Sequence, residues 1–286
     1  MAQALVDGCV LSANYALIAL GITLIFSIMN LLNFAHGQMF MLGGFTVYYL
    51  YGVFGLPFAV ALAAAAVIVG IIGAGFERFL FRRVLRLATR EENSMLLAVG
   101  TALLLENAAL SLFGDQQHGV PETVSGVLQI AGAYLPYQRL EVLAVSAVLI
   151  AGLLYFVQYT RPGRAMRALA QDRDAALLMG VDVDRTAMLG FAIGAALAAL
   201  AGGLLVTVQG VNAGIGTAIS VKAFIMIMIG GAGVVGGAIL GAVVLGFAES
   251  IGYNFLPGSV TYLLIFVALI VFLVIRPRGI MGHPWG

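Results

Sequence analysis

Charged side chains are scarce in this chain. Of 286 residues, 14 are Lys or Arg and 13 are Asp or Glu, 9% in all, while 62% are apolar; soluble domains carry about 25% charged residues. A mean hydropathy of +1.07 excludes a soluble globule, which needs a polar exterior. It equally excludes a disordered chain, which is poor in apolar residues. The single cysteine, Cys9, excludes an intrachain disulfide and a cysteine-ligated metal cluster. The three histidines, His36, His118 and His283, lie far apart with no HExxH spacing, so no metal site is expected. The single lysine, Lys222, is followed by Ala223, whereas a Walker A lysine precedes Ser or Thr. No nucleotide cofactor is therefore expected on this chain. A net charge of +1 gives no footprint for nucleic acid. No basic residue precedes Arg78, so the apolar start does not read as a cleaved signal peptide. These absences place the chain in a bilayer, with lipid as its surroundings.

The charges that remain are grouped. Arg78, Arg82, Arg83, Arg86 and Arg90 form one cluster, and Arg161, Arg164, Arg167, Arg173 and Arg185 a second. Arg276 and Arg278 follow the last apolar run, and the three groups hold 12 of the 14 basic residues. The positive-inside rule makes these segments cytoplasmic. Segment 114–139, with Asp115, His118, Glu122 and Arg139, reads as external, as does the N-terminus. Apolar runs 8–29, 38–55, 57–76, 94–113, 140–158, 186–208 and 259–275 are each read as a crossing of about 30 Å of hydrocarbon. Stretch 221–249 is read as a hairpin broken near 230–237, because 209–220 and 250–258 are both expected outside. The expected fold is a single all-α domain over 1–286, a polytopic transmembrane helical bundle of about 8 spans with broken or re-entrant helices.

Glycine is abundant, with 37 residues, about 13% against an average near 7%. Small residues let membrane helices approach closely, and Gly190, Gly194, Ala198 and Gly202 form one stripe at i, i+4. Gly233, Gly237 and Gly241 repeat that spacing. Two interrupted segments lie in opposite halves: Asn33-Phe34-Ala35-His36-Gly37-Gln38, and the run containing Gly230, Gly231, Gly233, Gly236 and Gly237. Such a pairing predicts an inverted repeat, and these residues are candidates for the pathway or its gate.

Three ionisable residues fall in or beside apolar runs. Lys222 and Glu249 bracket the expected hairpin, so folding it back would bring them into an ion pair, unless both snorkel to the interface. Glu106 with Asn107 sits within a span and is a candidate for an interhelical hydrogen bond and for the pathway. His36 is read as a hydrogen-bonded histidine at a helix break, although its type titrates near neutral pH.

Residues 164–179 are rich in Ala, Leu, Met and Arg and predict one cytoplasmic helix, opened by Pro162 and stopped by Gly180. It would be an interfacial anchor or a docking element for a partner. The Asp172-Arg173-Asp174 run favours docking, because anionic lipid attracts polybasic segments.

Over nearly its whole length the chain resembles the permease subunits of branched-chain amino-acid ABC importers, specifically the LivH-type half. The resemblance rests on the order and spacing of several motifs. They begin with Tyr15-Ala16-Leu17-Ile18-Ala19-Leu20-Gly21, Asn33-Phe34-Ala35-His36-Gly37 and Glu77-Arg78. Asp174-Ala175-Ala176-Leu177-Leu178-Met179-Gly180 follows, then Lys222-Ala223-Phe224, and finally Arg276-Pro277-Arg278-Gly279. Gln38 stands where the family pattern has Glu, and Asp174 replaces the Glu of the EAA-type loop. The resemblance implies an inner-membrane permease with no catalytic residues. It would work with a LivM-like second permease, two ATPase subunits that carry ATP and Mg, and an extracytoplasmic binding protein. Coupling to the ATPases would fall to helix 164–180, with Arg164, Arg167, Ala168, Asp174, Ala175, Ala176 and Gly180, and to 78–93. Branched-chain amino acids are the default substrate; urea, short amides or another small organic solute are alternatives. A channel or carrier independent of ATP is the competing class.

Overall fold

A computed structural model describes residues 2–87, 92–130 and 133–282. Arg90 and His283 lie outside the described residues. The first long helix, α1 (Ala2–Met29), ends where Asn30 adopts φ +50° and donates its N–H to Phe26, a left-handed stop that asparagine tolerates. The chain then turns back into the bundle as an irregular segment. His36, the first residue of α2 (His36–Val47), donates Nε2 to the Ile18 carbonyl at 3.2 Å. Ile18 is eleven residues before Met29, so α2 begins about 16 Å inside the end of α1. Thus α2 is a half-helix, prolonged by a π-helical turn over Tyr48–Val53. The expected crossing 38–55 is this element: it follows the end of α1 beside Arg173 and Arg278 and ends at the other side, where Gly52 meets Val120 and Tyr51 Oη donates to Glu122 O.

Next come α3 (Phe58–Phe76), a π-helical turn Glu77–Phe81, α4 (Arg82–Leu87) and α5 (Glu92–Phe113). The segment after α5 carries a two-stranded antiparallel hairpin, β1 (Val127–Ile130) with β2 (Ala133–Pro136), paired Leu128 to Leu135. Helix α6 (Tyr137–Tyr159) leads to α7 (Arg161–Gln171), α8 (Arg173–Leu178) and the long α9 (Val183–Gln209). After Val211 bridges to His118 at the hairpin end, a second irregular segment enters the bundle and starts α10 (Ile215–Gly230). Residues 215–220, expected outside, are therefore helical and inside. Helices α11 (Val235–Phe255) and α12 (Gly258–Ile275) complete the bundle. Among the described residues, seven helices are long and apolar enough to cross a membrane, and the half-helices α2 and α10 accompany them.

The two glycine-rich segments expected to match do not meet; the segment that meets Asn33–Gly37 is Asn212–Gly216. In both halves an Asn carbonyl accepts the first helical N–H three residues on: buried Asn33 from His36 at 3.1 Å, half-buried Asn212 from Ile215 at 3.3 Å. Gly37 and Gly216 then occupy equivalent positions. Helix α1 runs antiparallel to α9, with Asn14 Nδ2 donating to Ala201 O at 2.9 Å and Gly21 against Gly194. Long helix α1 packs antiparallel on α11, with Ser250 Oγ donating to Ala4 O at 2.7 Å and Ser12 Oγ to Val243 O at 3.3 Å. Likewise α9 packs antiparallel on α3, Gly73 meeting Ala195 and Gly203 meeting Leu62. The central α1–α9 seam uses the predicted stripe: a Cβ on Gly21 or on Gly194 would lie 2.7 Å from the other's carbonyl oxygen. The Gly230–Gly237 run is instead the tight α10–α11 turn, with Gly230 against Gly237 and Gly231 against Gly282.

Candidate functional site

The half-helices begin side by side, antiparallel, in the middle of the bundle. Gly37 N donates to Ser220 Oγ at 3.0 Å, and Ser220 Oγ donates to Phe34 O at 2.7 Å. A Cβ on Gly37 would run into the Gly216 carbonyl oxygen, so only glycine permits this crossing. Gln38 Nε2 donates to Thr217 Oγ1 at 3.3 Å and to Glu106 Oε2 at 3.4 Å, and Thr217 Oγ1 also donates to Glu106. Asn33, His36 and Gln38 are fully buried. Five predicted pathway residues thus meet here: Asn33, His36, Gly37, Gln38 and Glu106. Thr217 and Ser220, which no motif marked, complete the site. Gly230, Gly231, Gly233, Gly236 and Gly237 lie elsewhere, and Gly233 walls a cavity of about 380 Å³ with Arg173 and Arg278. Asn107 donates within its own helix, to Leu103 O at 2.7 Å, and makes no interhelical bond.

The Lys222–Glu249 pair forms at 2.5 Å, with Glu249 1% exposed. Tyr15 Oη donates to Glu249 Oε2 at 2.6 Å and accepts from Lys222 Nζ at 2.7 Å, while Tyr253 Oη donates to Glu249. The Lys222 ammonium also lies 5.2 Å from the Tyr15 ring centre and 5.7 Å from that of Tyr262, within cation–π range. A charge pair this deeply buried needs such additional partners. It ties α10 and α11 to α1 and α12.

At the opposite end from the hairpin, the basic clusters gather on one face. Arg82 grips buried Glu77 through Nε–Oε1 (3.0 Å) and Nη2–Oε2 (2.5 Å) and donates to Asp184 O at 3.0 Å, joining the π-turn to α9. The expected single helix over 164–180 is two. Asp172 takes an extended conformation, ending α7, and its Oδ1 accepts from Asp174 N and Ala175 N at 2.9 Å, capping α8; aspartate prefers this role to a helix interior. Helix α7 starts as expected, with Pro162 in its first turn and the Thr160 side chain accepting from Gly163 N at 3.1 Å. Gly180, at φ +82°, closes α8: its N–H reaches Leu177 O and that of Val181 reaches Ala176 O, both 3.0 Å, which is a Schellman motif. Ala176 is 4% exposed and seats α8 on the bundle, whereas Leu178 and Met179 are 90% and 84% exposed. Arg164, Arg167, Asp174 and Ala175 are exposed and Ala168 half-buried; Arg167 Nη2 donates to Gln158 O at 3.1 Å.

Comparison with known proteins places the chain in a family. The sequence model of a family described as the permease component of branched-chain amino acid transport systems matches residues 4–274. The chain belongs to that family. It is 33% identical over 299 residues to the high-affinity branched-chain amino acid transport system permease protein BraD of Pseudomonas aeruginosa, covering 99% of this chain and 96% of the relative. It is 31% identical over 296 residues to the corresponding permease protein LivH of Escherichia coli, again 99% and 96%. The solved structure of PsaBC from Streptococcus pneumoniae in complex with Fab has the same fold, at a TM-score of 0.50 and 14% identity, covering 96% of this chain and 93% of that one. This permease is accordingly a multi-pass membrane protein built on interlocked half-helices.

Proposed function

We propose that the chain is the transmembrane subunit of an ABC importer in the bacterial inner membrane, forming an alternating-access pathway for branched-chain or related amino acids. The observation that carries this reading is the pair of half-helices meeting at mid-depth through Gly37 and Gly216, with Gln38, Thr217 and Glu106 beside them. Irregular backbone at membrane depth is tolerated where it lines a pathway or lies buried in protein. Asn33, His36, Gly37, Gln38 and Glu106 are the pathway residues in this reading. An extracytoplasmic binding protein delivers substrate at the hairpin end, and a LivM-like permease completes the pathway. Two ATPase subunits hold ATP and Mg and dock on α7–α8, where the exposed Leu177, Leu178 and Met179 enter a groove. ATP-driven closure then tilts α9, which follows α8 directly, and thereby moves the α10 half-helix.

Reconstitution with these partners in liposomes tests the proposal. Leucine uptake should require ATP and the binding protein and be blocked by vanadate. Uptake by this chain alone, without ATP, would overturn it in favour of a channel or carrier.

A further inference from the structure

Glu106 is a membrane-depth carboxylate without a cation. It lies seven residues short of the outer end of α5 at Phe113, about 10 Å below it. Lys222 is committed to Glu249, and among the described residues no Lys, Arg or His pairs with Glu106. Its hydrogen bonds come from two neutral donors, Thr217 and Gln38. It is also only half-buried, and its partner Thr217 is exposed. An ionisable side chain at this depth is expensive in lipid and belongs beside protein or a water-filled path.

A second observation marks the same spot. Gln38 is fully buried, and while its Nε2 serves Glu106 and Thr217, its Oε1, packed against Gly216, has no hydrogen-bond partner. Buried polar atoms are normally satisfied, so the site holds an unmet acceptor next to an unpaired carboxylate. Two acceptors of this kind suit an ammonium group, which brings three donors and no acceptor. Farther along α10, the Phe34 and Phe224 rings stack at 4.4 Å, both half-buried, and offer an apolar surface near the same path.

We propose that Glu106 is the ammonium-binding carboxylate of the pathway: it receives the α-ammonium of the permeating amino acid where the half-helices cross, with Gln38 as the second acceptor. This rests on the permease reading above. The incoming ammonium replaces Thr217 and Gln38 as donors to Glu106, and the exchange is favourable because a bond charged at both ends is stronger than one from a neutral donor. The site therefore favours amine-bearing zwitterions over simple carboxylates.

The complete complex in proteoliposomes, with leucine as the probe, provides the test. A wild-type complex that takes up no leucine or other amino acid overturns the permease reading itself. Given wild-type uptake, Glu106→Gln, which keeps the hydrogen bonds and loses the charge, should lower it about tenfold or more, the loss expected for one charged hydrogen bond. The exchange Gln38→Glu with Glu106→Gln moves the carboxylate across their hydrogen bond and should recover most of that loss. Glu106→Gln at the wild-type rate, or an exchange no better than the single variant, would overturn the assignment. Thiol labelling covers variants that assemble poorly. In a Cys9→Ser background, Glu106→Cys should react with a membrane-impermeant thiosulfonate and be protected by leucine-loaded binding protein; an unreactive thiol places the position against lipid and overturns the proposal.

Discussion

At the scale of single residues, the charges inside this bundle divide into two kinds. Lys222 and Glu249 neutralise one another within a cage of Tyr15, Tyr253 and Tyr262, whereas Glu106 has only neutral partners. Removing one member of the pair strands the other in a buried site. Glu249→Ala should therefore destabilise the protein by about 3–5 kcal/mol, read as a lowered unfolding midpoint in detergent. The double change Lys222→Met with Glu249→Leu should cost much less, because well-packed apolar replacements remove the desolvation penalty along with the attraction. If the double variant is as unstable as the single one, the tyrosines rather than the charges hold these helices together. The pair is legible in the sequence, since a 28-residue apolar stretch running from a lysine to a glutamate has to fold back to bring them together. Glu106 is legible there only as an oddity. Its partners Gln38 and Thr217 are 68 and 111 residues away, and nothing local announces them.

At the scale of elements, capping chemistry decides how the segment after α6 is built. Good helix formers from Arg164 to Met179 suggest one continuous helix, but Asp172 offers its side chain to the backbone and divides it. Propensity summed over a window misses this, because one competing hydrogen bond outweighs several small preferences. Asp172→Ala should weaken α8 by about 1 kcal/mol, visible as faster amide exchange over 173–178. The exposed tip is separable from the seat. Leu178→Asp changes a solvent-facing residue and should leave the unfolding midpoint nearly unaltered, within about 0.5 kcal/mol, while abolishing ATP-driven uptake. Ala176→Asp buries a charge against the bundle and should lower both. Equal uptake by Leu178→Asp and wild type would remove α8 from the coupling path. The half-helices teach a related lesson. The glycine-dense run at 230–237 is conspicuous and proves to be a turn, whereas the segment that meets Asn33–Gly37 is Asn212–Gly216. The two share an asparagine and a glycine four residues apart, enough to set the backbone and too little to stand out. A Cβ on Gly216 would collide with Gln38, so Gly216→Ala should cost about 1–3 kcal/mol through overpacking, measured in the same unfolding assay.

At the scale of the molecule, the distribution of arginines sets an orientation even where the number of segments is ambiguous. Orientation depends on a few charges at loop depth, whereas segment count depends on where helices break, and the breaks at 30–35 and 210–214 carry almost no charge. In the structure the two irregular segments enter from opposite ends: one follows α1 at the end where Arg173 and Arg278 lie, the other follows the His118–Val211 bridge at the hairpin end. This fixes every helix direction once one end is assigned. With the arginine end inside, the start of α1 and the hairpin are outside, α5 and α9 run outward, and α12 runs inward. Single cysteines in a Cys9→Ser background check the whole scheme at once. Glu122→Cys should be labelled by an impermeant maleimide in intact spheroplasts, and Asp174→Cys only after permeabilisation, since both positions are exposed. Ala232→Cys, in the turn between α10 and α11, should behave like Asp174→Cys, because that turn borders the cavity shared with Arg173. Labelling of Ala232→Cys from outside would mean that α10 does not descend to the cytoplasmic end. The half-helix would then point the wrong way to receive motion from α8 and α9, and the coupling route proposed above would have to be abandoned.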